Sequence, residues 1–286
     1  MDLTNPDVIA SQLAGMRWRS AHGKRFGQNF LVDRSALERI VLSLALSKRD
    51  VVVEIGPGLG VLTRELARSC ARVIAIEKDQ TLLPQLKANV SALSNVEILH
   101  ADALTIESAD DGPLHAAHYI LTGNLPYSIA VPVVQHFFLS AARMPARAVF
   151  LLQKEVAERL AARAGDRTRG ALSVVLEARL DIEIIARVPA ESFLPVPAVD
   201  GAVIRMIPRD RTASRAAPLD SARAQRLLFA VFRHRRKQIH GPLSDFFHID
   251  KTQAVAALAS SGIDPHARPQ ELTLAQWSSL FRIFML

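Results

Sequence analysis

Apolar residues along the first half of the chain alternate between short runs and helical spacings. Runs such as Val51–Ile55 and Arg72–Glu77 are short and apolar, which is typical of buried strands. Between them, Ser35–Ser47 and Asp79–Val90 repeat apolar residues every three or four positions, which indicates amphipathic helices. We expect Asp79 to cap the second of these helices. Strands that alternate with helices predict a mostly parallel sheet built from βαβ units.

The pattern changes after residue 180. Ile182–Val188 and Ala202–Ile207 predict two late, antiparallel strands, and residues 208–218 predict a linker because Arg, Ala, Ser and Pro dominate them. Four helical segments follow: Ser221–Phe232, Arg235–Phe247, Lys251–Ser261 and Leu274–Phe284. We therefore expect an α/β domain over residues 1–208 and a small all-helical domain over residues 218–286.

The net charge and the distribution of basic residues indicate what kind of partner the chain binds. The chain has 286 residues, of which 35 are Lys or Arg and 28 are Asp or Glu, for a net charge of +7. Ten basic residues against two Asp lie between Arg205 and Lys237, and the segment from Val8 to Val32 has no acidic residue. Clustering of basic residues at two places predicts binding of a nucleic acid.

Cysteine use and hydropathy suggest where the chain works. Cys70 is the single cysteine, so neither an intramolecular disulfide nor a cysteine metal cluster is expected, and a reducing, cytoplasmic setting fits. No signal peptide is recognisable, and no apolar run approaches the roughly 18 residues of a membrane span. We expect a cytoplasmic monomer without a metal site and without a membrane partner.

Polar residues stand where several predicted strands end. Glu54 precedes the glycine turn Gly56–Gly60, and Glu77, Asp102 and Asn124 follow later strands. The carboxyl ends of parallel strands form the ligand-binding edge of such a sheet, so these side chains predict a binding site. A carboxylate at Glu77 offers two acceptor oxygens to a pair of ribose hydroxyls. A nicotinamide-binding oxidoreductase is disfavoured, because the last glycine of its fingerprint would fall at position 61, which is Val.

The most informative of these strand ends is Asn124-Leu125-Pro126-Tyr127. The Asn124 amide oxygen and nearby backbone carbonyls can accept both hydrogens of an exocyclic amine, while an aromatic ring covers the adjacent flat face. Adenine has that shape and those hydrogens. An ordinary strand-to-helix turn is the alternative, because Asn and Pro are common turn residues.

Taken together, these motifs resemble the ribosomal RNA adenine N6,N6-dimethyltransferases, the small-subunit adenine dimethylase family. The matching segments run in the family's order through most of the chain: Lys24–Leu31, Val53–Gly60, Glu77, Asp102, Gly123–Tyr127, Leu152–Val156, Phe193–Pro197 and Arg235–Lys237. The resemblance implies a Rossmann-like class I methyltransferase sheet followed by a small C-terminal all-helical domain. It also implies dimethylation, with S-adenosylmethionine as methyl donor, of two adjacent adenosines in a hairpin loop near the 3′ end of small-subunit (16S) ribosomal RNA.

The same resemblance assigns roles to residues on the donor side. Asn29 and Leu31 would close over the donor, and Gly56 would contact its amino-acid end. Glu77 would hold the ribose and Asp102 the adenine amine of the donor. Asn124 would lie between the two substrates.

On the RNA side, the Asn124 oxygen and the Leu125 carbonyl would align the target amine. Tyr127 and Phe193 would cover the two faces of the adenine, and stacking contributes roughly 1–3 kcal/mol per base. No general base is expected, because the proton of the methylated, cationic nitrogen is acidic. The RNA backbone would be bound by six basic residues: Lys24, Arg25, Arg233, Arg235, Arg236 and Lys237. The expected partner is small-subunit ribosomal RNA or a 30S assembly intermediate.

Some positions depart from the family's usual residues, and all of them lie on the inferred RNA side. They are Ala171, Ala198, Gly201 and the tetrapeptide His240-Gly241-Pro242-Leu243. Two alternatives therefore stay open: a large-subunit RNA adenine methyltransferase of the macrolide-resistance type, and a ribosome-assembly factor that binds RNA without catalysis. A DNA adenine methyltransferase shares the Asn-x-Pro-Tyr motif but would not carry the segment from Arg25 to Leu31.

Overall fold

The computed structural model describes residues 2–16, 28–106, 118–126, 128–209, 219 and 221–285. The chain forms two compact units, residues 1–157 with 183–208 and residues 158–182 with 209–286. The first unit ends at position 208, as the expected boundary does. Residues 158–182, which were expected in the α/β domain, lie in the second unit, where Arg169 donates hydrogen bonds to the carbonyls of Gln270 and Leu272.

The first unit contains a seven-stranded, mostly parallel sheet. Its strands are β2 (Val51–Ile55), β3 (Arg72–Glu77), β4 (Val96–His100), β5 (Tyr119–Asn124), β6 (Arg147–Gln153), β7 (Leu180–Val188) and β9 (Gly201–Pro208). Their order across the sheet is β4-β3-β2-β5-β6-β9-β7. The strands from β4 to β6 run parallel, and β9 pairs antiparallel with β6. The carboxyl ends of β2, β3 and β5 therefore meet at one edge of the sheet.

Six helices follow the strands or precede them in the part of the first unit that the structure describes. They are α1 (Pro6–Gly15), α2 (Arg34–Ser43), α3 (Val61–Ser69), α4 (Leu83–Val90), α5 (Ala130–Gln135) and the first part of α6 (Lys154–Ala161). A π-helical turn over His136–Ser140 extends α5. Their apolar faces pack on the strands, and Leu59, Leu66, Val52 and Ile40 are fully buried in this core.

The expected cap of α4 is wrong. The helix begins at Leu83 and has no side-chain cap at Leu82. Asp79 instead accepts hydrogen bonds from the backbone N–H and the hydroxyl of Thr81. Because an aspartate readily closes such a local turn with the residue two positions on, the chain makes a turn before the helix starts.

A separate two-stranded ribbon lies beside the main sheet. Strand β1 (Phe30–Leu31) pairs antiparallel with β8 (Phe193–Leu194), and Leu31 lies opposite Phe193. We call this pair the β1–β8 ribbon. It joins segments more than 160 positions apart in sequence, and each strand alone is too short to be recognised from its hydrophobic pattern.

The second unit is helical. Beyond the end of α6 it contains α7 (Ala171–Arg179), α8 (Ala222–Phe232), α9 (His240–Phe247), α10 (Lys251–Ser260) and α11 (Leu274–Met285). The Trp277 ring stacks on Phe232, with 5.9 Å between centroids. Arg169 is completely buried and donates hydrogen bonds to Glu177 and to the carbonyls of Gln270 and Leu272. No helix in the described ranges has the length and apolarity to cross a bilayer.

The helix expected over Arg235–Phe247 is shorter than predicted. It begins at His240, and residues 233–237 form a turn between α8 and α9. We call these residues the basic turn. All five are exposed, and the Arg235 guanidinium donates to the Arg167 carbonyl oxygen over 2.6 Å. Charged side chains are costly to bury, so several cations in succession stay in solvent and do not form the buried face of a helix.

Candidate active site

A cavity of about 440 Å³ opens at the carboxyl edge of the sheet. Its size lies within the range of roughly 300–1,000 Å³ that small-molecule sites occupy. Eight of the residues expected in the site line it: Asn29, Leu31, Gly56, Glu77, Asp102, Asn124, Leu125 and Phe193. All eight belong to the first unit.

The floor of the cavity is the glycine turn after β2. Gly56, Gly58 and Gly60 have φ of +67°, +59° and +85°. These left-handed conformations are strained for any residue with a Cβ, so glycine at alternate positions is required for the turn itself. The missing side chain also makes room, because a Cβ at Gly58 would lie 3.1 Å from the Phe30 ring. The turn therefore presents bare backbone to the cavity.

Glu77 lies at the end of β3 and is almost completely buried. Burial raises the pKa of its carboxyl above the usual value, and hydrogen bonds of 2.8 and 3.0 Å from the backbone N–H groups of Asp79 and Gly58 offset only part of this rise. Each carboxylate oxygen accepts one of these bonds and can accept another. Glu77 is thus fixed in position and still able to bind a pair of hydroxyl groups.

A second buried carboxyl, Glu54 on β2, also belongs to the lining of the cavity. Its oxygen accepts a 2.6 Å hydrogen bond from the Thr63 hydroxyl, and burial raises its pKa to about 8. At neutral pH Glu54 is therefore mostly protonated. A charge on Glu77 acts in the same direction as burial and raises the pKa of Glu54 further.

Asp102, which follows β4, also lines the cavity. Its carboxylate forms a 2.6 Å ion pair with Lys78 and accepts a hydrogen bond from the Leu104 N–H. The hydrogen bond from Lys78 is the main reason that its pKa lies below the usual value. Asp102 is therefore ionised at neutral pH and suited to accept a hydrogen bond from an amine.

Asn124 ends β5 between the glycine turn and the β1–β8 ribbon. Its amide nitrogen donates a 2.8 Å hydrogen bond to the Asn29 carbonyl, which orients the side chain and leaves the amide oxygen as the acceptor. The next residue, Leu125, is held by a hydrogen bond from its N–H to the Leu151 carbonyl. The two acceptors of this corner are the Asn124 side-chain oxygen and the Leu125 carbonyl. The hydrogen bonds to Asn29 and to Leu151 on β6 hold these two residues in place.

Phe193 reaches the cavity from β8. Its ring lies next to Gly201, where a Cβ would come within 3.2 Å of the ring. Phe193 is 5% exposed, so most of its ring packs against protein. Its expected role over an adenine stays a prediction.

Three of the expected site residues lie outside the described part of the chain. They are Tyr127 in the corner and the basic residues Lys24 and Arg25. The other basic residues expected to bind RNA, Arg233, Arg235, Arg236 and Lys237, belong to the basic turn of the second unit.

The sequence interpretation gave no role to several residues that hold the site together. The Gln28 amide donates to Asp79, Lys78 pairs with Asp102, and Ser192 donates to Asp33. Of these residues, only Lys78 could have been suggested by the sequence, because it directly follows Glu77. The others meet through chain segments that are 51 and 159 positions apart, a distance that no local pattern crosses.

The cavity fits S-adenosylmethionine by its donor and acceptor set. Its lining includes bare glycine backbone, the paired oxygens of Glu77, which suit ribose hydroxyls, and ionised Asp102, which suits an adenine amine. A mostly parallel sheet with a glycine turn after β2 and an acid at the end of β3 is the Rossmann-like fold of class I methyltransferases.

Comparison with known proteins narrows the class to a family. Residues 19–285 match the family model for ribosomal RNA adenine dimethylase. The chain is 39% identical over 266 residues to ribosomal RNA small subunit methyltransferase A of Myxococcus xanthus, which covers 91% of this chain and 92% of that protein. It is 36% identical to the protein of the same name from Xylella fastidiosa strain 9a5c, over 90% of this chain and 94% of that protein. The chain belongs to the ribosomal RNA adenine dimethylase family, whose methyl donor is S-adenosylmethionine.

Solved structures agree with this fold. The 23S rRNA methyltransferase ErmE superimposes with a TM-score of 0.71 at 29% identity, covering 90% of this chain and all of that one. A dimethyladenosine transferase from Plasmodium falciparum also superimposes with a TM-score of 0.71, at 22% identity, over 88% of this chain and 95% of that one. The second similarity supports the fold alone.

Proposed function

We propose that this protein transfers methyl groups from S-adenosylmethionine to the N6 amine of two adjacent adenosines in small-subunit ribosomal RNA. The target is a hairpin loop near the 3′ end of 16S RNA, and the reaction takes place in the cytoplasm during ribosome assembly. The names of the similar proteins from Myxococcus and Xylella support the choice of subunit. The oriented amide of Asn124 is the observation that carries the chemistry.

The donor side of the cavity would be formed by six residues: Asn29, Leu31, Gly56, Glu77, Asp102 and Asn124. Bound there, S-adenosylmethionine supplies an electrophilic methyl group on a positively charged sulfur. Glu77 holds the ribose end and Asp102 the adenine end. Asn29 and Leu31, beside and within β1, exclude water from the donor.

The acceptor side depends on Asn124 and Leu125. The N6 amine of adenine is a poor nucleophile because its lone pair is delocalised into the ring. The Asn124 oxygen and the Leu125 carbonyl accept its two hydrogens, which favours a pyramidal nitrogen and points the lone pair at the methyl group. Tyr127 and Phe193 stack on the base and offset the few kcal/mol needed to move it out of its loop.

Once methylated, the nitrogen carries a positive charge and releases its proton readily to water. No side chain is assigned as a general base. The Glu54 carboxyl lines the cavity, but it is 1% exposed and its oxygen is hydrogen-bonded to Thr63, so we give it no part in proton transfer.

RNA would be held by the basic residues. Arg233, Arg235, Arg236 and Lys237 present their charges together in the basic turn, and Lys24 with Arg25 would add contacts from the N-terminal side. Phosphate contacts of this kind supply affinity without sequence preference. A loop target fits, because single-stranded RNA exposes its bases at the least cost. We expect the protein to act as a monomer.

The test is methyl transfer to under-methylated small subunits with methyl-labelled donor, followed by mapping of the modified nucleotides. We expect N6,N6-dimethyladenosine at two neighbouring positions near the 3′ end of the RNA. Label in large-subunit RNA would overturn the proposal in favour of the type of activity named for ErmE. No label at all would favour an RNA-binding assembly factor.

The Asn124→Ala variant tests the acceptor. Loss of an oriented transition-state hydrogen bond typically costs about 100- to 1,000-fold in rate, so we expect a fall in kcat of that order. Asn95→Ala is the matched control, because the Asn95 amide also donates to a backbone carbonyl of the first unit, that of Ala67, but lies outside the cavity. Equal rates in the two variants would exclude the proposed role of Asn124.

A further inference from the structure

The β1–β8 ribbon carries two residues that are expected to contact different substrates, one on each strand. Leu31 on β1, expected to contact the donor, lies directly opposite Phe193 on β8, expected to contact the target base. Both side chains line the same cavity. Because the two strands are paired with each other, we expect a shift of one strand to shift the other.

On the donor side, three contacts tie β1 and the residues before it to other segments of the first unit. The Asn29 carbonyl accepts from the Asn124 amide, the Gln28 amide donates to Asp79, and the Phe30 ring packs over Gly58. A donor bound between these groups and Glu77 would rest against β1 and stabilise its position.

On the other side, the ribbon ends in a side-chain hydrogen bond. The Ser192 hydroxyl donates to the Asp33 carboxylate over 2.7 Å, and the Val32 N–H donates to the Ser192 carbonyl over 2.8 Å. The second carboxylate oxygen of Asp33 accepts from the Ala36 N–H and caps α2. Ser192 is 5% exposed and Asp33 is partly buried, so the hydroxyl end of this link is shielded from water.

The charge on Asp33 strengthens this link. Burial acts to raise the pKa of Asp33, but the hydrogen bonds from Ser192 and from the first turn of α2 lower it below the usual value. The carboxylate is ionised at neutral pH, and hydrogen bonds to an ionised acceptor are about twice as strong as neutral ones. Asp33 therefore connects β1, the loop before β8 and α2 at one point.

We infer that Asp33 and Ser192 are positioning residues that couple donor binding to placement of the target adenine. This inference rests on the proposed function. A donor that stabilises β1 stabilises Ser192 and Phe193 through the ribbon, so RNA binds more tightly to the donor-bound protein. By linkage, RNA must tighten donor binding by the same factor.

The coupling is measured with the product S-adenosylhomocysteine, so that no turnover occurs. Its affinity is determined by calorimetry with and without saturating under-methylated small subunits. We expect RNA to tighten its binding to the unaltered protein by about tenfold, within the usual range of coupling factors. The Ser192→Ala variant should bind the product within about twofold of normal in the absence of RNA and should lose most of this tightening.

Two further variants separate positioning from stability. Ser192→Cys keeps the size of the side chain but donates weakly, so it should also lose coupling, and it serves if Ser192→Ala does not fold. Ser173→Ala is the matched control: its buried hydroxyl donates to the Arg159 carbonyl in the second unit, outside the cavity. It should lower thermal stability similarly and leave coupling unchanged, because a merely structural defect reduces the folded fraction without altering the ratio of affinities.

The outcomes distinguish this inference from the proposed function. If the unaltered protein methylates small subunits but shows no coupling, the inference is wrong and the function stands. The inference is equally wrong if the Ser192 variants keep the full coupling factor. If the unaltered protein methylates neither subunit, the proposed function itself fails.

Discussion

At the scale of single residues, the site works by giving each carboxyl a different environment. Asp102 is partly exposed and paired with Lys78, so it is ionised. Glu77 is buried but accepts two backbone hydrogen bonds. Glu54 is fully buried with the Thr63 hydroxyl as its partner, and its pKa of about 8 keeps it neutral. The identical carboxyl group therefore serves as an ion in one place and as a packed neutral group in another.

Glu54 should make stability depend on pH. Its pKa rises from the ordinary value of 4.5 to about 8 in the folded protein, so between these values the folded state binds the proton more tightly than the unfolded state. The free energy of unfolding should then fall as pH rises from about 4.5 to about 8, by up to roughly 1.4 kcal/mol per pKa unit, and level off above. Glu54→Gln should remove this fall in the free energy of unfolding, because the amide of Gln does not titrate.

The measurement is thermal unfolding of both proteins from pH 5 to pH 9 in the absence of donor. Glu54→Gln should gain stability relative to the unaltered protein as pH rises through this window. Glu38→Gln, at an exposed position paired with Arg34, is the control and should show no such trend. A constant difference between Glu54→Gln and the unaltered protein at all pH values would contradict the raised pKa.

At the scale of elements, the strand ends carry the site because neighbouring strands approach closely there. Gly123 shows how closely: a Cβ at this position would overlap the Ile55 carbonyl oxygen of the adjacent strand β2. Gly123 also directly precedes Asn124, so its small size sets how near the acceptor corner comes to the glycine turn.

Gly123→Ala should therefore force β5 away from β2. Overpacking against backbone costs typically 1–3 kcal/mol, and we expect a loss of about this size in the free energy of unfolding, together with a lower methyl-transfer rate. Gly15→Ala is the control, because no neighbouring atom lies within 4 Å of a Cβ added there. Denaturant unfolding and initial rates measure both effects, and equal stability of the two variants would disprove the close approach.

At the scale of the whole molecule, the chain separates its tasks. The first unit contains the sheet and every described residue of the cavity, and the second unit contains the basic turn. Neither unit is a continuous piece of chain, since α6 and β7 pass from one unit to the other. Substitutions in the basic turn should therefore change the proposed phosphate binding without changing the residues of the cavity.

Replacement of Arg235, Arg236 and Lys237 by Ala should weaken RNA binding and flatten its salt dependence. Each lost contact to a single-stranded phosphate lowers the slope of log affinity against log salt by about 0.7, so the slope should fall by up to roughly 2. Donor affinity in the absence of RNA should not change.

The control replaces Arg39, Lys48 and Arg49, three exposed cations of the first unit, and changes the net charge equally. If both triple variants reduce the slope by the same amount, the effect comes from net charge and the basic turn has no specific role. Filter binding at several salt concentrations distinguishes these results.

The sheet, the class of protein and many residues that line the cavity were predictable from the amino-acid sequence, whereas their roles toward the donor stay predictions. The parallel strands were predictable because buried strands are continuous apolar runs, and the site residues because Gly56, Glu77, Asp102 and Asn124 follow such runs. These are local signals, readable within ten residues. The start of α4 was mispredicted because Asp79 can equally cap a helix or close a turn, and only its contact with Thr81 decides.

How distant segments meet became known only from the folded chain. The β1–β8 ribbon, the bond between Ser192 and Asp33, and the place of residues 158–182 in the second unit all join parts of the chain far apart in sequence. The neutral state of Glu54 is of the same kind, because burial sets its pKa and no sequence pattern reports burial of a carboxyl. Local patterns specify elements, whereas contacts and burial depend on which elements pack together.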